Sequence, residues 1–203
     1  MNFFTSDIHL DDEETLYWDC RPFKNCKQFN KHLFNLWNKQ ANVNDTIYII
    51  GDWLDCEKTG SSTWKKSIHY VKKLKAQVVL VMGNNEERIV KFYFDNNFEK
   101  FREYCLECGF KDVVKNATVF INGIEFYLTH KPKHYKRGVL NLFGHTHRTS
   151  GLYYPFGFNV GCDLSHFRLL SEDDIMKYIE MKEKFWDDDN NLLMRFEKQE
   201  NKL

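Results

Sequence analysis

Five short apolar runs in this chain each end in a polar turn, and each turn carries side chains that ligate metals. The turns are Asp7-Ile8-His9, Gly51-Asp52-Trp53-Leu54-Asp55, Gly83-Asn84-Asn85-Glu86, Thr129-His130 and Gly144-His145-Thr146-His147. A short apolar run bounded by turn residues marks a buried strand. In α/β sheets, ligands bind beyond the carboxyl ends of such strands. The pattern therefore calls for a fold that gathers five strand ends at one edge. Taken singly the turns are weak signals. A lone Asp-x-His is usually a surface loop, Gly51-Asp52 an ordinary strand-end turn, and His130 before Lys131-Pro132 a packed loop histidine. Their order and shared context make the set specific.

The chemistry within the set is coherent. Asp and His suit divalent first-row metals of intermediate hardness, and the carbonyl of Asn84 is a neutral oxygen donor. Asp7-x-His9 and His145-x-His147 place both side chains on one side of an extended segment. Asp52 is the natural carboxylate to bridge two metals. Gly51, Gly83 and Gly144 let the backbone turn where it must come close to the ions.

The remaining elements read as one α/β domain over 1–203, a βαβαβ first half followed by a mostly β second half. Strands are expected at 2–6, 46–50, 77–82, 113–121, 124–128, 139–143 and 166–170, with an irregular hairpin over 152–160. Asn122-Gly123 is a strong hairpin signal. Helices are expected at 27–40, at about 62–75 and from 86 to a stop at Gly109, with a break near Asp95-Asn96-Asn97. A last helix opens after Ser171, which serves as its N-cap. Residues 10–26 read as a loop, and the charged tail 187–203 as frayed.

Composition narrows the function classes. Lys plus Arg equals Asp plus Glu at 29 each, so no global field draws the chain to nucleic acid or an anionic membrane. No apolar run approaches the ~20 residues that span a bilayer. The N-terminus has no basic segment followed by a long apolar stretch. A soluble, cytoplasmic protein with reduced thiols is expected, since a chain of this size without an export signal does not need disulfides. Cys105-x-x-Cys108 matches half of a zinc knuckle, but it lies in a helical segment with no second pair, so a core-facing pair is the better reading.

With these residues in view, the chain resembles the calcineurin-like metallophosphoesterases, whose pattern is D-x-H, G-D-x-x-D, G-N-H-D/E, a later His, and G-H-x-H. The stretches Cys20-Arg21-Pro22-Phe23, Leu36-Trp37-Asn38, Asn44-Asp45-Thr46-Ile47-Tyr48 and Asn159-Val160-Gly161-x-Asp163 resemble a small bacterial and phage subgroup. The resemblance implies a four-layer α/β sandwich, two facing mixed sheets flanked by helices. It implies one metal on Asp7, His9, Asp52 and His147, and a second on Asp52, Asn84, His130 and His145. It also implies hydrolysis of a phosphomono- or phosphodiester by a hydroxide bridging the two ions. The expected cofactors are two divalent ions, Mn²⁺ first, with Fe, Zn or Ni as alternatives. The expected partner is a phosphate-ester substrate, of which a nucleotide or nucleic-acid end is one form. Neither a membrane nor an obligate protein partner is implied.

Position 85 departs from the pattern. The family usually has His there, acting on the leaving group, and Asp55 would orient it. Asn85 donates a hydrogen bond but cannot transfer a proton, and losing a general acid typically costs ~10²–10⁴-fold in rate. Three readings stay open: a different substrate with the proton drawn from His134 or water, a scaffold that has lost catalysis, or an engineered Asn. Arg21 and Arg148 flank the motif loops and are candidates for gripping phosphate. Tyr17 and Trp18 either stack on a nucleobase or pack their loop onto the domain. His134 is a loop residue near the site or merely solvated.

Overall fold

The computed structural model describes residues 1–56, 62–149 and 151–185. Met1–Glu172 forms one compact unit that holds both sheets, and Asp173–Leu203 forms a second. The tail 187–203, expected to fray, lies outside the described residues.

The strands are β1 (Asn2–Thr5), β2 (Thr46–Ile50), β3 (Gln77–Val81), β4 (Asp112–Val114), β5 (Ala117–Ile121), β6 (Ile124–Leu128), β7 (Leu140–Phe143), β8 (Tyr153–Tyr154), β9 (Gly157–Asn159) and β10 (Leu170–Ser171). They form two five-stranded sheets, β10-β1-β2-β3-β4 and β5-β6-β7-β9-β8. In the first, β1 to β4 are parallel and β10 runs antiparallel at the edge. In the second, antiparallel pairs flank a parallel β6-β7-β9 centre. A single bridge, Ser6 to Gly161, links the chain just beyond β1 to the chain beyond β9. The helices are α1 (Glu13–Trp18), α2 (Cys26–Gln40), α3 (Thr63–Ser67), α4 (Asn84–Tyr93), α5 (Phe98–Cys108) and α6 (Glu172–Phe185). The architecture is thus two mixed sheets flanked by helices.

Alternation along the strands explains the layers. Phe3, Ile47, Ile49, Val78 and Leu80 join Phe29, Leu33 and Trp37 of α2 in one core. Successive strand residues point to opposite faces, so Phe4, Tyr48, Val79 and Val81 serve the other face, where Phe4 and Tyr48 stack at 5.7 Å. Burial on both faces is what a continuous apolar run such as β3 requires. Cys105 and Cys108 lie in the helix-side core, and all six cysteines are unbonded.

Four expectations need correction. Residues 10–26 contain α1, whose N-cap Asp12 accepts from the backbone N–H groups of Glu14 and Thr15. Only Leu16 of that helix is buried, so it shows no apolar stripe. The expected strand 113–121 is two strands in two sheets. Val113 pairs with Leu80, and Val119 pairs with Phe126. The expected helix at 62–75 tightens to 3₁₀ over Ile68–Lys73. Strand 166–170 shrinks to β10, because His166 (φ 52°) and Phe167 (φ 64°) hold left-handed backbone that no strand accommodates.

Candidate metal centre

The loops are fastened to one another before any side chain is considered. The backbone N–H groups of Asp7, Ile8, His9 and Leu10 donate to carbonyls of Gly51, Asp52 and Trp53 at 2.9–3.1 Å. Ile8, Leu10, Trp53 and Leu54, interleaved with the polar residues, are fully buried and anchor both loops. Glu86 adds a third loop. Its carboxylate is buried and accepts from the N–H groups of Asp52 (2.9 Å), Gly83 (3.0 Å) and Leu54 (3.1 Å). Burial pushes this carboxyl up to about 7, with the Asp52 charge adding to the rise. A fourth loop joins where His145 N donates to both oxygens of Asp7, at 2.9 and 3.0 Å.

The backbone carries strain at this edge. Asp7 (φ 60°), His9 (51°), Asp52 (52°), His145 (74°) and His147 (44°) are all left-handed. Each such non-glycine residue costs about 1–3 kcal/mol, and such residues cluster at functional sites. Gly144 shows how close the approach is, since a Cβ there would collide with Ser6 Oγ and Asp7 Oδ2.

Two groups of side chains result. Asp7, His9 and His147 bring ligand atoms within 4.8 Å of one another, and so do Asp52, His130 and His145. Asp52 stands between them: its Oδ2 is 3.6 Å from His9 Nε2 and 3.5 Å from His130 Nε2. Asn84 joins the second group, its Oδ1 lying 3.1 Å from His130 Nε2. His130 Nδ1 faces the carbonyl of Ile50 at 2.8 Å. Donation there leaves Nε2 as a lone pair directed at two oxygens, an arrangement that calls for a cation. His9 Nε2 is buried and has no hydrogen-bond partner among the described residues. Asp7 and Asp52 are buried carboxylates. Orphaned nitrogen, facing lone pairs and buried negative charge together fit divalent cations, with N and O donors of the appropriate kind.

Without a cation, protons carry this demand. Burial pulls His130 down, but the Asp52 charge and hydrogen bond outweigh it and hold the imidazole at about 9. Burial would raise Asp52, yet His130 and His9 hold its carboxyl well below the usual range. Burial dominates at His9 and His145 and lowers both.

The other residues singled out from sequence fall differently. Asn85 is buried. Its N–H donates to Asp52 Oδ1 (3.0 Å), its amide nitrogen lies 3.3 Å from His9 Nδ1, and its Oδ1 accepts from Arg88 (3.0 Å). Asp55 gathers with His9 and Asp12. His134 is exposed on the 3₁₀ turn Pro132–His134. Arg148 is exposed and donates to the Asp19 carbonyl. Arg21 is not placed to grip a substrate phosphate. It is buried, with Nε and Nη2 on the two oxygens of Asp163 (2.8 and 2.9 Å) and further donations to the Ile8 and Asp7 carbonyls (both 2.7 Å). Sequence reasoning did not assign Asp19 and Asp163, whose Oδ2 atoms face His147 Nδ1 at 2.6 and 3.5 Å. Burial lowers His147, but these two carboxylates raise it to about 10. The Asn159-Val160-Gly161-x-Asp163 stretch was the available signal for Asp163; Asp19 had none.

Two mixed sheets thus carry, at their strand ends, a cluster of Asp and His side chains that could hold metal ions. The profile described as calcineurin-like phosphoesterase matches residues 3–200, and the chain belongs to that family. Membership brings metal-dependent phosphoester hydrolysis as its general chemistry. An uncharacterized protein of Methanocaldococcus jannaschii, MJ1445, is 26% identical over 189 residues, covering 88% of this chain and 90% of that protein. The crystal structure of the Aquifex aeolicus protein of unknown function AQ665 superposes with a TM-score of 0.62 at 18% identity, over 88% of this chain and 98% of that one. That likeness is one of fold. Among the described residues, no helix is long and apolar enough to cross a membrane.

Proposed function

We propose that this chain hydrolyses a phosphate ester at a two-metal centre, with Asp7, His9, Asp52 and His147 holding one divalent cation and Asp52, Asn84, His130 and His145 the other. The observation that carries this is Asp52 Oδ2, set nearly equally from His9 Nε2 and His130 Nε2 at 3.6 and 3.5 Å. Bound there, two divalent cations supply an acidified water and offset charge on the phosphoryl oxygens. The O/N donor set without thiolate favours Mn²⁺, with Fe, Zn or Ni as alternatives. The protein's own part is orientation. His130 is fixed by the Ile50 carbonyl, His147 by Asp19 and Asp163, and Asp52 by the Asn85 N–H.

Asn85 sets the limits of the reaction. It is buried and has no proton to give, so protonation of the leaving oxygen falls to solvent or to His134. Esters with acidic leaving groups should therefore be turned over best. The same residue favours a second reading, a family member that holds metal with impaired turnover.

The deciding assay uses aryl phosphomonoester and aryl phosphodiester with added Mn²⁺, for the parent, Asp52→Asn and Asn85→His. Hydrolysis by the parent, lost in Asp52→Asn, is expected. Turnover by Asn85→His alone would establish the impaired reading. Activity that survives Asp52→Asn would sink the proposal.

A further inference from the structure

Tyr17 and Trp18 are each 75% exposed, the largest exposure of any big apolar side chain among the described residues. They are neighbours at the end of α1, with rings at 5.4 Å and 76° in an edge-to-face pair. Packing of this segment on the domain falls to Leu16 instead, which is buried. Leaving two such rings in water forgoes about 25 cal/mol per Å² of apolar surface. Most of the surface of both rings therefore contributes nothing to the packing of the fold.

Their position is tied to the metal centre. Asp19 follows Trp18 directly, within one peptide step of about 3.8 Å between Cα atoms. Its carboxylate is 2.6 Å from Nδ1 of His147, and its carbonyl accepts from Arg148. Its N–H closes α1 on the Thr15 carbonyl at 3.0 Å. Two residues on, Arg21 is buried against Asp163. The aromatic pair thus lies one and two residues from a carboxylate that faces a candidate metal ligand, on a segment pinned by the Asp12 cap and by Asp19.

We propose that Tyr17 and Trp18 form a stacking platform for the base of a nucleotide-type phosphate ester whose phosphate occupies the metal centre. The proposal rests on the phosphoesterase reading and narrows its substrate class. Aromatic faces stack any base, which contributes about 1–3 kcal/mol for the one base held. Charge on the segment selects the size of the ligand. Asp11, Asp12, Glu13, Glu14 and Asp19 surround the pair in sequence, and this acidity opposes a long polyanion. Two exposed cations meet this group, Lys66 at Asp11 (3.3 Å) and Arg148 at the Asp19 carbonyl. A mononucleotide ester or a nucleic-acid end fits these constraints, and a tracked strand does not.

The test compares two substrates with the same leaving group on the Mn²⁺-loaded full chain: the p-nitrophenyl ester of thymidine 5′-monophosphate and methyl p-nitrophenyl phosphate. The ratio of their kcat/KM values is expected to fall about 5–150-fold in Tyr17→Ala/Trp18→Ala. It is expected to recover in Tyr17→Phe/Trp18→Phe, which keeps the rings. An unchanged ratio overturns the platform. Calorimetry with a non-hydrolysable 5′-methylenephosphonate analogue of the nucleotide against methylphosphonate reads binding without turnover. The parent should prefer the nucleotide analogue, and the double alanine variant should not. If the parent cleaves neither ester yet shows that preference, the hydrolysis reading fails and the platform stands. No preference in the parent, or concentration-dependent dimers that the alanine variant abolishes, overturns the platform.

Discussion

Replacing Arg21 by alanine should destabilise this protein more than almost any other single change near the site. Arg21 is 4% exposed, and its guanidinium makes four hydrogen bonds of 2.7–2.9 Å to Asp163, Ile8 and Asp7 and lies 4.9 Å over the Phe29 ring. Asp163 has no exposed side-chain surface. Against the upward push of burial, the Arg21 hydrogen bonds and the nearby His147 ring hold its carboxyl down at about 2. Removing one partner of a buried pair leaves an uncompensated charge and costs about 3–5 kcal/mol. For a chain of this size each kcal/mol shifts Tm by about 2–4 °C, so a drop of about 6–20 °C is expected. Replacing both partners, as Arg21→Met/Asp163→Leu, removes the stranded charge and should recover part of the loss. Urea and thermal melts of the metal-free protein measure both. The reasoning is refuted if Arg21→Ala melts with the parent, or if the double variant is worse than the sum of the two single ones. A phosphate-gripping Arg21 would instead change KM and leave the melt alone.

Three further outcomes follow from the same geometry. Gly144→Ala drives a methyl group into Ser6 Oγ and Asp7 Oδ2, so metal content by mass spectrometry and Tm should both fall. Asp19→Asn leaves His147 Nδ1 without its nearest carboxylate. Affinity for the cation that His147 helps hold should drop about 10–100-fold by calorimetry, and an unchanged isotherm would remove Asp19 from the account. In metal-free protein His130 is raised from 6.5 to about 9. Its contribution to stability is therefore full below about 6.5 and is lost as pH rises through about 9. Cation binding must displace that proton, so affinity should rise over the same window with proton release.

Much of the site is legible in the sequence because each candidate ligand follows the end of a strand. Position in chain, strand period and turn chemistry all act locally, and they placed Asp7, His9, Asp52, Asn84, His130, His145 and His147 at one edge without knowledge of the fold. What escaped depends on distant partners. Arg21 reads from sequence as a candidate for gripping phosphate, because its reason for burial, Asp163, is 142 residues away. Asp19 faces His147 from the C-terminal cap of a six-residue helix whose single buried side chain leaves no periodic trace. Lys115 and Asn116 separate β4 from β5, yet an apolar run on either side reads as one strand, because pattern cannot say which sheet a strand joins. Asn85 was noticed as a departure, but its burial between His9 and Arg88 emerges only from packing.

The central claim is a two-metal centre bridged by Asp52. Equilibrium dialysis against Mn²⁺, read by metal analysis on the parent and on Asp52→Asn, tests it most directly. The account predicts two ions per parent chain and weakened binding of both in the variant. No bound metal in the parent, or a variant that holds two ions as tightly as the parent does, would contradict it.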